Sequence, residues 1–148
     1  KLPSNFSKIF ICEYNAIFGD KFEITVPKLS NFARNEYHYS NLCFGASLKA
    51  FISLLEKKNM SFVGCNLFRN NAFFVNNDYI SNFNIKIPSK IDLSKYANSN
   101  FRESRDKLGK LNYISGLNRL KIIKECEVID CSDNNYKLKK IEDIINNF

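Results

Sequence analysis

Tryptophan is absent from this chain, histidine occurs once, and only three prolines and five glycines punctuate its 148 residues. A lone histidine, with no Cys/His cluster at ligand spacing, argues against a structural zinc site. No apolar run approaches the ~18 residues of a membrane-spanning helix, and no signal-peptide apolar region opens the chain. Cysteines number five, an odd count, and no two stand as Cys-x-x-Cys. That pattern fits free thiols in a reducing compartment better than a disulfide scaffold, so the cytoplasm is the expected location. Cys12 and Cys65 fall within apolar, strand-like runs, where a thiol behaves as a small buried hydrophobe. Internal repeats at solenoid periods are also missing.

What is present suffices for a core. Apolar residues make up 45% of the chain and aromatic residues 14%, with 14 Phe standing in for Trp, which excludes global disorder. The length suits one compact unit that buries roughly two-thirds of its unfolded surface. A net charge of +7 invites a nucleic-acid or acidic-substrate reading. Asn, Lys, Ile, Phe and Tyr are all abundant, as AT-rich coding would give. The basic residues are also scattered, apart from Lys137, Lys139 and Lys140, so nucleic-acid binding is the weaker expectation.

The stretch Lys8 to Asn15 reads as the organising strand. Its apolar run Ile9-Phe-Ile-Cys12 suits a strand buried on both faces, as in a parallel sheet, with Glu13, Tyr14 and Asn15 at its carboxyl end. Phe22 to Val26 reads as a short extended piece that Pro27 ends. Arg34 to Asn41 has no usable period and would form a lid over the strand's carboxyl end. Gly45 to Lys58 reads as a helix with Leu48, Phe51, Ile52 and Leu55 on one stripe, widened by Leu54; Gly45 or Ser47 could cap it. Ser61 to Asn66 and Asn71 to Asn76 read as an antiparallel hairpin. Beyond Asp78 the composition shifts. A linker or edge segment around Asn84 to Ser89 precedes a turn at Lys107 to Lys110 and a helix from about Gly116 to Lys124, with Ser115 as its cap. A short strand near Glu127 to Cys131 follows, and Leu138, Ile141, Ile144 and Ile145 predict a terminal amphipathic helix. The chain opens at Lys1 without an initiator Met and is inside a core strand within a few residues, which makes it the expected later part of a longer protein.

Three blocks together carry a resemblance. Ile11-Cys-Glu-Tyr-Asn15, Gly45-Ala-Ser-Leu48 and the hairpin with Val63-Gly-Cys-Asn66 and Asn71-Ala-Phe-Phe-Val75 resemble FkbM-type methyltransferases, in particular a bacterial branch of that family. The tail, with Phe101-Arg-Glu-Ser-Arg-Asp106 and Tyr113-Ile-Ser-Gly116, is similar to the branch's C-terminal extension. The resemblance implies an α/β fold: part of a Rossmann-like methyltransferase sheet with one parallel strand, a crossover helix and an antiparallel hairpin over residues 1–80, then an α+β extension over 81–148. It implies that strand 71–76 inserts beside strand 8–15, antiparallel to it. It also implies O-methyl transfer from S-adenosylmethionine to a small-molecule or glycan acceptor. The family's glycine-rich loop and its acidic strand ends do not occur here. The resemblance therefore implies that the cofactor-binding half lies outside this sequence, and that this chain alone neither binds the cofactor nor acts. The alternatives are a non-catalytic Rossmann-like interaction module or, more weakly, a basic nucleic-acid-binding domain.

Glu13 is the candidate catalytic residue: a carboxylate at a strand's carboxyl end can hold a substrate hydroxyl or act as its general base. Capping a neighbouring helix or pairing with Arg34 would explain it equally. Asn15 and Tyr14 share that edge as candidate substrate contacts, with core packing the competing role for Tyr14. His38, between two tyrosines in the lid, could shuttle a proton or stack a sugar or base, or be an ordinary loop residue. Gly45 and Ser47, with Ala46, could cradle an anion at a helix start, or simply allow close packing there. Asn66, beside Asn70 and Asn71, could face the site or serve the hairpin turn. Arg102 and Arg105 could bind phosphate, or sit with Glu103 and Asp106 in a salt-bridged face. Cys65 has no base placed near it and is not a nucleophile candidate.

Overall fold

The computed structural model describes residues 3, 6–87, 91–96, 103–116, 118–133 and 136–146. Among these, six strands form two small sheets: β1 (Ile9–Glu13), β2 (Ile24–Thr25), β3 (Met60–Cys65), β4 (Asn71–Asn76), β5 (Glu127–Asp130) and β6 (Lys137–Lys140). Four α-helices accompany them: α1 (Arg34–Tyr37), α2 (Leu48–Glu56), α3 (Asn118–Ile122) and α4 (Ile141–Ile145). The fold is mixed α/β, and every pair of neighbouring strands is antiparallel. No helix among the described residues is long and apolar enough to cross a membrane.

The first sheet has the order β1-β4-β3. Strand β4 lies antiparallel beside β1, with Ile9 opposite Val75 and Glu13 opposite Asn71, so the expected insertion of 71–76 is present. The hairpin partner β3 carries a bulge between Phe62 and Gly64, where Gly64 takes a positive φ of 148°. Because β1 and β3 both oppose β4, they run parallel to each other, joined by α2 crossing one face.

Helix α2 forms for local reasons. Ser47 caps it, its hydroxyl accepting from the Ala50 N–H at 3.1 Å. Leu48, Ile52 and Leu55 bury one stripe against Tyr14, Met60, Phe62, Ala72 and Phe74 of the sheet. Leu54 does not widen that stripe; it is 46% exposed.

The first strand departs from expectation. It was expected inside a parallel sheet and buried on both faces, yet it is the edge of an antiparallel one with a single covered face. Phe10 and Cys12 pack against the core cluster shared by α2, β3 and β4, whereas Ile9 is 45% and Ile11 56% exposed. Asn76 N–H donates to Lys8 O and Tyr14 N–H to Asn70 O, both at 2.9 Å. The even-numbered residues therefore face β4, and Ile9, Ile11 and Glu13 turn their N–H and C=O groups to the open side. On that side the Ile9 carbonyl accepts from the Ser7 hydroxyl.

The second sheet, β2-β5-β6, covers a separate cluster. Phe18, Ile24, Leu42 and Cys43 from the first part of the chain meet Ile123, Val128, Ile141 and Ile144 from the last. The terminal helix is shorter than the spacing predicts. Leu138 lies in β6 and is exposed, because Lys137 to Lys140 pair with β5 before α4 begins. Helix α3 also begins later than Gly116; Leu117, expected on its buried face, lies outside the described residues, as do Pro88 and Ser89. The one lysine cluster is matched by acids: Lys137 meets Asp133 at 3.8 Å, Lys139 Asp130 at 2.7 Å and Lys140 Glu125 at 2.9 Å.

Candidate functional site

Where β1 ends, three consecutive residues go three ways. Glu13 remains exposed at the sheet's rim. Tyr14 turns inward, its hydroxyl donating to Tyr96 O at 2.9 Å, and burial raises its phenol above the ordinary range. Asn15 is 1% exposed and fully engaged. Its Oδ1 accepts from Ile17 N–H at 3.0 Å, while its Nδ2 donates to Leu42 O at 2.8 Å and Phe44 O at 3.0 Å. Those two bonds hold the 42–44 segment against the strand end, as a lid would require.

A narrow cleft of about 20 Å³ results, lined by Glu13, Asn15, Arg34, Phe44, Asn70 and Glu103 among others. Arg34 also borders a wider basin of about 540 Å³ with Tyr39, Asn41, Arg105, Asp106 and Lys107. Its guanidinium lies 3.8 Å from the centroid of the Phe44 ring and donates twice to Asn41 O, at 3.0 and 3.3 Å. No ion pair joins it to Glu13 among the described residues.

The far wall of the basin is a small hairpin. Ser104 is buried, donating to Asn112 Oδ1 at 2.6 Å and accepting from Ile114 N–H at 2.8 Å. Arg105 N–H donates to Ser40 O at 3.2 Å, which ties this hairpin to the lid. Asp106 Oδ1 accepts from Leu108 N–H at 2.8 Å and Lys110 N–H at 2.9 Å, so its carboxylate serves the turn.

The other candidate residues lie elsewhere. His38 Nδ1 sits 2.7 Å from Ser40 Oγ and accepts from Ser40 N–H at 3.3 Å, with its ring stacked on Tyr39 at 4.3 Å. Burial lowers its pKa below the ordinary 6.5. Ser47 is fully buried, its Oγ accepting from both Ile24 N–H and Ala50 N–H at 3.1 Å. Gly45 O accepts from Val26 N–H at 2.9 Å, and Gly45 lines a different cavity of about 360 Å³ with Glu23, Phe51, Lys57 and Cys131. Asn66 closes the hairpin turn, its Oδ1 accepting from Asn70 and Asn71 N–H at 3.1 Å, and touches the cleft only through Asn70. Arg102 lies outside the described residues.

Sequence reasoning passed over Tyr39, Asn41 and Lys107. The turn read at Lys107 to Lys110 already placed Lys107 at an exposed tip, but gave no sign that it borders a site.

Of the five glycines, Gly64 lies at the β3 bulge, Gly116 precedes α3, and Gly45 leads into a buried cap whose groups bond β2 and α2. No group of three His, Cys, Asp or Glu able to hold a metal occurs among the described residues. No protein-family profile, curated protein or solved structure matches the chain.

Proposed function

We propose that this chain forms the acceptor side of an S-adenosylmethionine-dependent O-methyltransferase of the FkbM type, with the cofactor held by residues outside this sequence. The observation that carries the reading is the path of the first sheet. A strand, a crossover helix and a hairpin follow one another, and the last strand returns antiparallel between the other two. In open α/β sheets, ligands gather beyond the strands' carboxyl ends. Glu13 stands at such an end with an exposed carboxylate beside the cleft. It accepts a hydrogen bond from a hydroxyl of a small-molecule or glycan acceptor and takes its proton. Asn15 acts as a positioning residue, holding the lid over that end. The missing half adds to the open edge of β1, where it covers Ile9 and Ile11 and pairs the outward N–H and C=O groups. Five free thiols suit a reducing compartment such as the cytoplasm.

A second reading, a non-catalytic interaction module, draws on the same exposed isoleucines, since an apolar open edge also suits a protein partner. Nucleic-acid binding has less support, because Lys137, Lys139 and Lys140 each face a carboxylate.

Titration with S-adenosylmethionine tests the leading reading. The product read from the first upstream start codon is expected to bind it, and residues 1–148 alone are not. Binding by residues 1–148 alone, or by neither, overturns the proposal.

A further inference from the structure

The wide basin beside the cleft has a charge character that the methyl-transfer reading neither uses nor requires. Arg34, Arg105 and Lys107 line it with Asp106, whose Oδ1 is already engaged by two backbone N–H groups of its own turn, and Glu103 of the adjoining cleft pairs with Arg105 at 3.5 Å. Three cations thus stand against two carboxylates, and two of the cations are held in place before any ligand arrives. Arg34 is fixed by Asn41 O and by the Phe44 face; Arg105 is fixed by its 2.8 Å bond to Gly109 O and lies 3.5 Å from Glu103. A guanidinium immobilised in the free protein loses little further side-chain freedom when it binds, and its planar fork matches an oxyanion.

From this geometry we infer that the basin binds a phosphate or sulfate ester of a sugar-sized molecule, the oxyanion lying between Arg34 and Arg105 with Lys107 at the rim. The size agrees, since about 540 Å³ falls in the range of small-ligand cavities, roughly 300–1,000 Å³. The hydroxyl of Tyr39 and the amide of Asn35 on the same wall offer uncharged partners for sugar hydroxyls. A polynucleotide suits the surface less well. The positive wall is short and adjoins a cleft carrying Glu13 and Glu103, so a backbone running past the basin would meet carboxylates instead of further cations.

The test is calorimetric titration of the chain at low ionic strength with a hexose 6-phosphate, a hexose 6-sulfate and the unmodified hexose, with inorganic phosphate and inorganic sulfate as competitors. At least one ester is expected to bind about tenfold or more tighter than the hexose, and its parent inorganic ion to displace it. Comparison of the two esters assigns the anion. Arg105→Gln is expected to weaken the bound ester about tenfold. Lys107→Gln, at an exposed turn tip, is expected to weaken it about threefold with an unchanged circular dichroism spectrum and melting temperature. If Arg105→Gln fails to fold, Lys107→Gln decides alone. Equal binding of esters and hexose, no binding of any, or wild-type affinity in the folded variants overturns the inference. So does a single-stranded oligonucleotide that binds far more tightly than either ester and loses affinity steeply with salt. None of these readouts involves methyl transfer, so failure here and failure of the proposed function are separable.

Discussion

Asn15→Ala separates scaffold from chemistry at the end of β1. The side chain is 1% exposed, so water cannot replace what it loses. Removing the amide strips Leu42 O and Phe44 O of donors at 2.8 and 3.0 Å, and Ile17 N–H of an acceptor at 3.0 Å. Ordinary buried hydrogen bonds contribute about 1 kcal/mol each, and a stranded buried group costs about 1–3 kcal/mol. Loss of the Ile17 contact is a cap loss of about 0.5–2 kcal/mol. Together these predict a destabilisation of about 3–5 kcal/mol, a large share of the ~5–15 kcal/mol that holds a typical domain folded. Urea unfolding followed by circular dichroism reads it as a lower midpoint at unchanged slope. Glu13→Gln, one residue pair away but exposed, is expected to cost under about 0.5 kcal/mol. Asn15→Asp keeps the acceptor for Ile17 but turns a carboxylate towards two carbonyl oxygens, so it should be at least as damaging near neutral pH. A cost below about 1 kcal/mol for Asn15→Ala, or an equal cost for Glu13→Gln, refutes the division of labour drawn here.

Ser47→Ala removes both a helix cap and the acceptor for Ile24 N–H, and should cost about 2–4 kcal/mol in thermal or urea unfolding. His38 has a folded pKa below its ordinary 6.5, so the unfolded chain takes up its proton first as pH falls; stability should be fully present above about 6.5 and decline below it. His38→Gln should flatten the wild-type decline in urea midpoint between about pH 7 and 5, and an identical profile would count against the assignment. Burial pushes the Cys12 thiol up to about 12 from 9.0 and Cys65 up to about 11. The Cys12 thiolate near pH 8 is then about a thousandfold scarcer than in an ordinary cysteine, and iodoacetamide labelling read by peptide mass spectrometry should leave it unmodified in the native protein while the urea-unfolded chain reacts fully.

Local signals carried through to the fold where the interactions themselves are local. The Ser47 cap and the Leu48, Ile52, Leu55 stripe lie within nine consecutive residues, so α2 is legible from that one stretch of sequence. The β3–β4 hairpin is similar, with Asn66 bonding Asn70 and Asn71 across its own turn. Strand β1 is different. Its four apolar residues read as doubly buried, yet Phe10 and Cys12 are only partly buried, against a cluster drawn from α2, β3 and β4, and Ile9 and Ile11 stay exposed. Apolarity states what a side chain favours, and only the rest of the fold states whether it finds it. The terminal segment failed for a related reason: Leu138 fits a helical spacing with Ile141 and Ile144, but the ladder with β5 captures Lys137 to Lys140 first.

Strand alternation explains why only part of the site was legible. Glu13 and Tyr14 leave the chain on opposite faces, whereas Asn15 lies beyond the last strand residue, where its bonds to Leu42 O and Phe44 O set its direction. Glu13 reaches the rim, Tyr14 the core below α2, and Asn15 the lid. The basin was legible only in part: Arg105 reads as a phosphate candidate beside Arg102, but nothing in the spacing joins it to Arg34, which lies in a distant polar segment. What brings them together is a backbone bond, Arg105 N–H to Ser40 O at 3.2 Å, and backbone groups are the same at every position. A site assembled through main-chain contacts between distant loops leaves little trace in side-chain spacing. The residues that mark it, Ser104 buried beneath the hairpin and Ser40 beneath the lid, are small and polar, and they read as loop filler until their hydroxyls are seen to be enclosed.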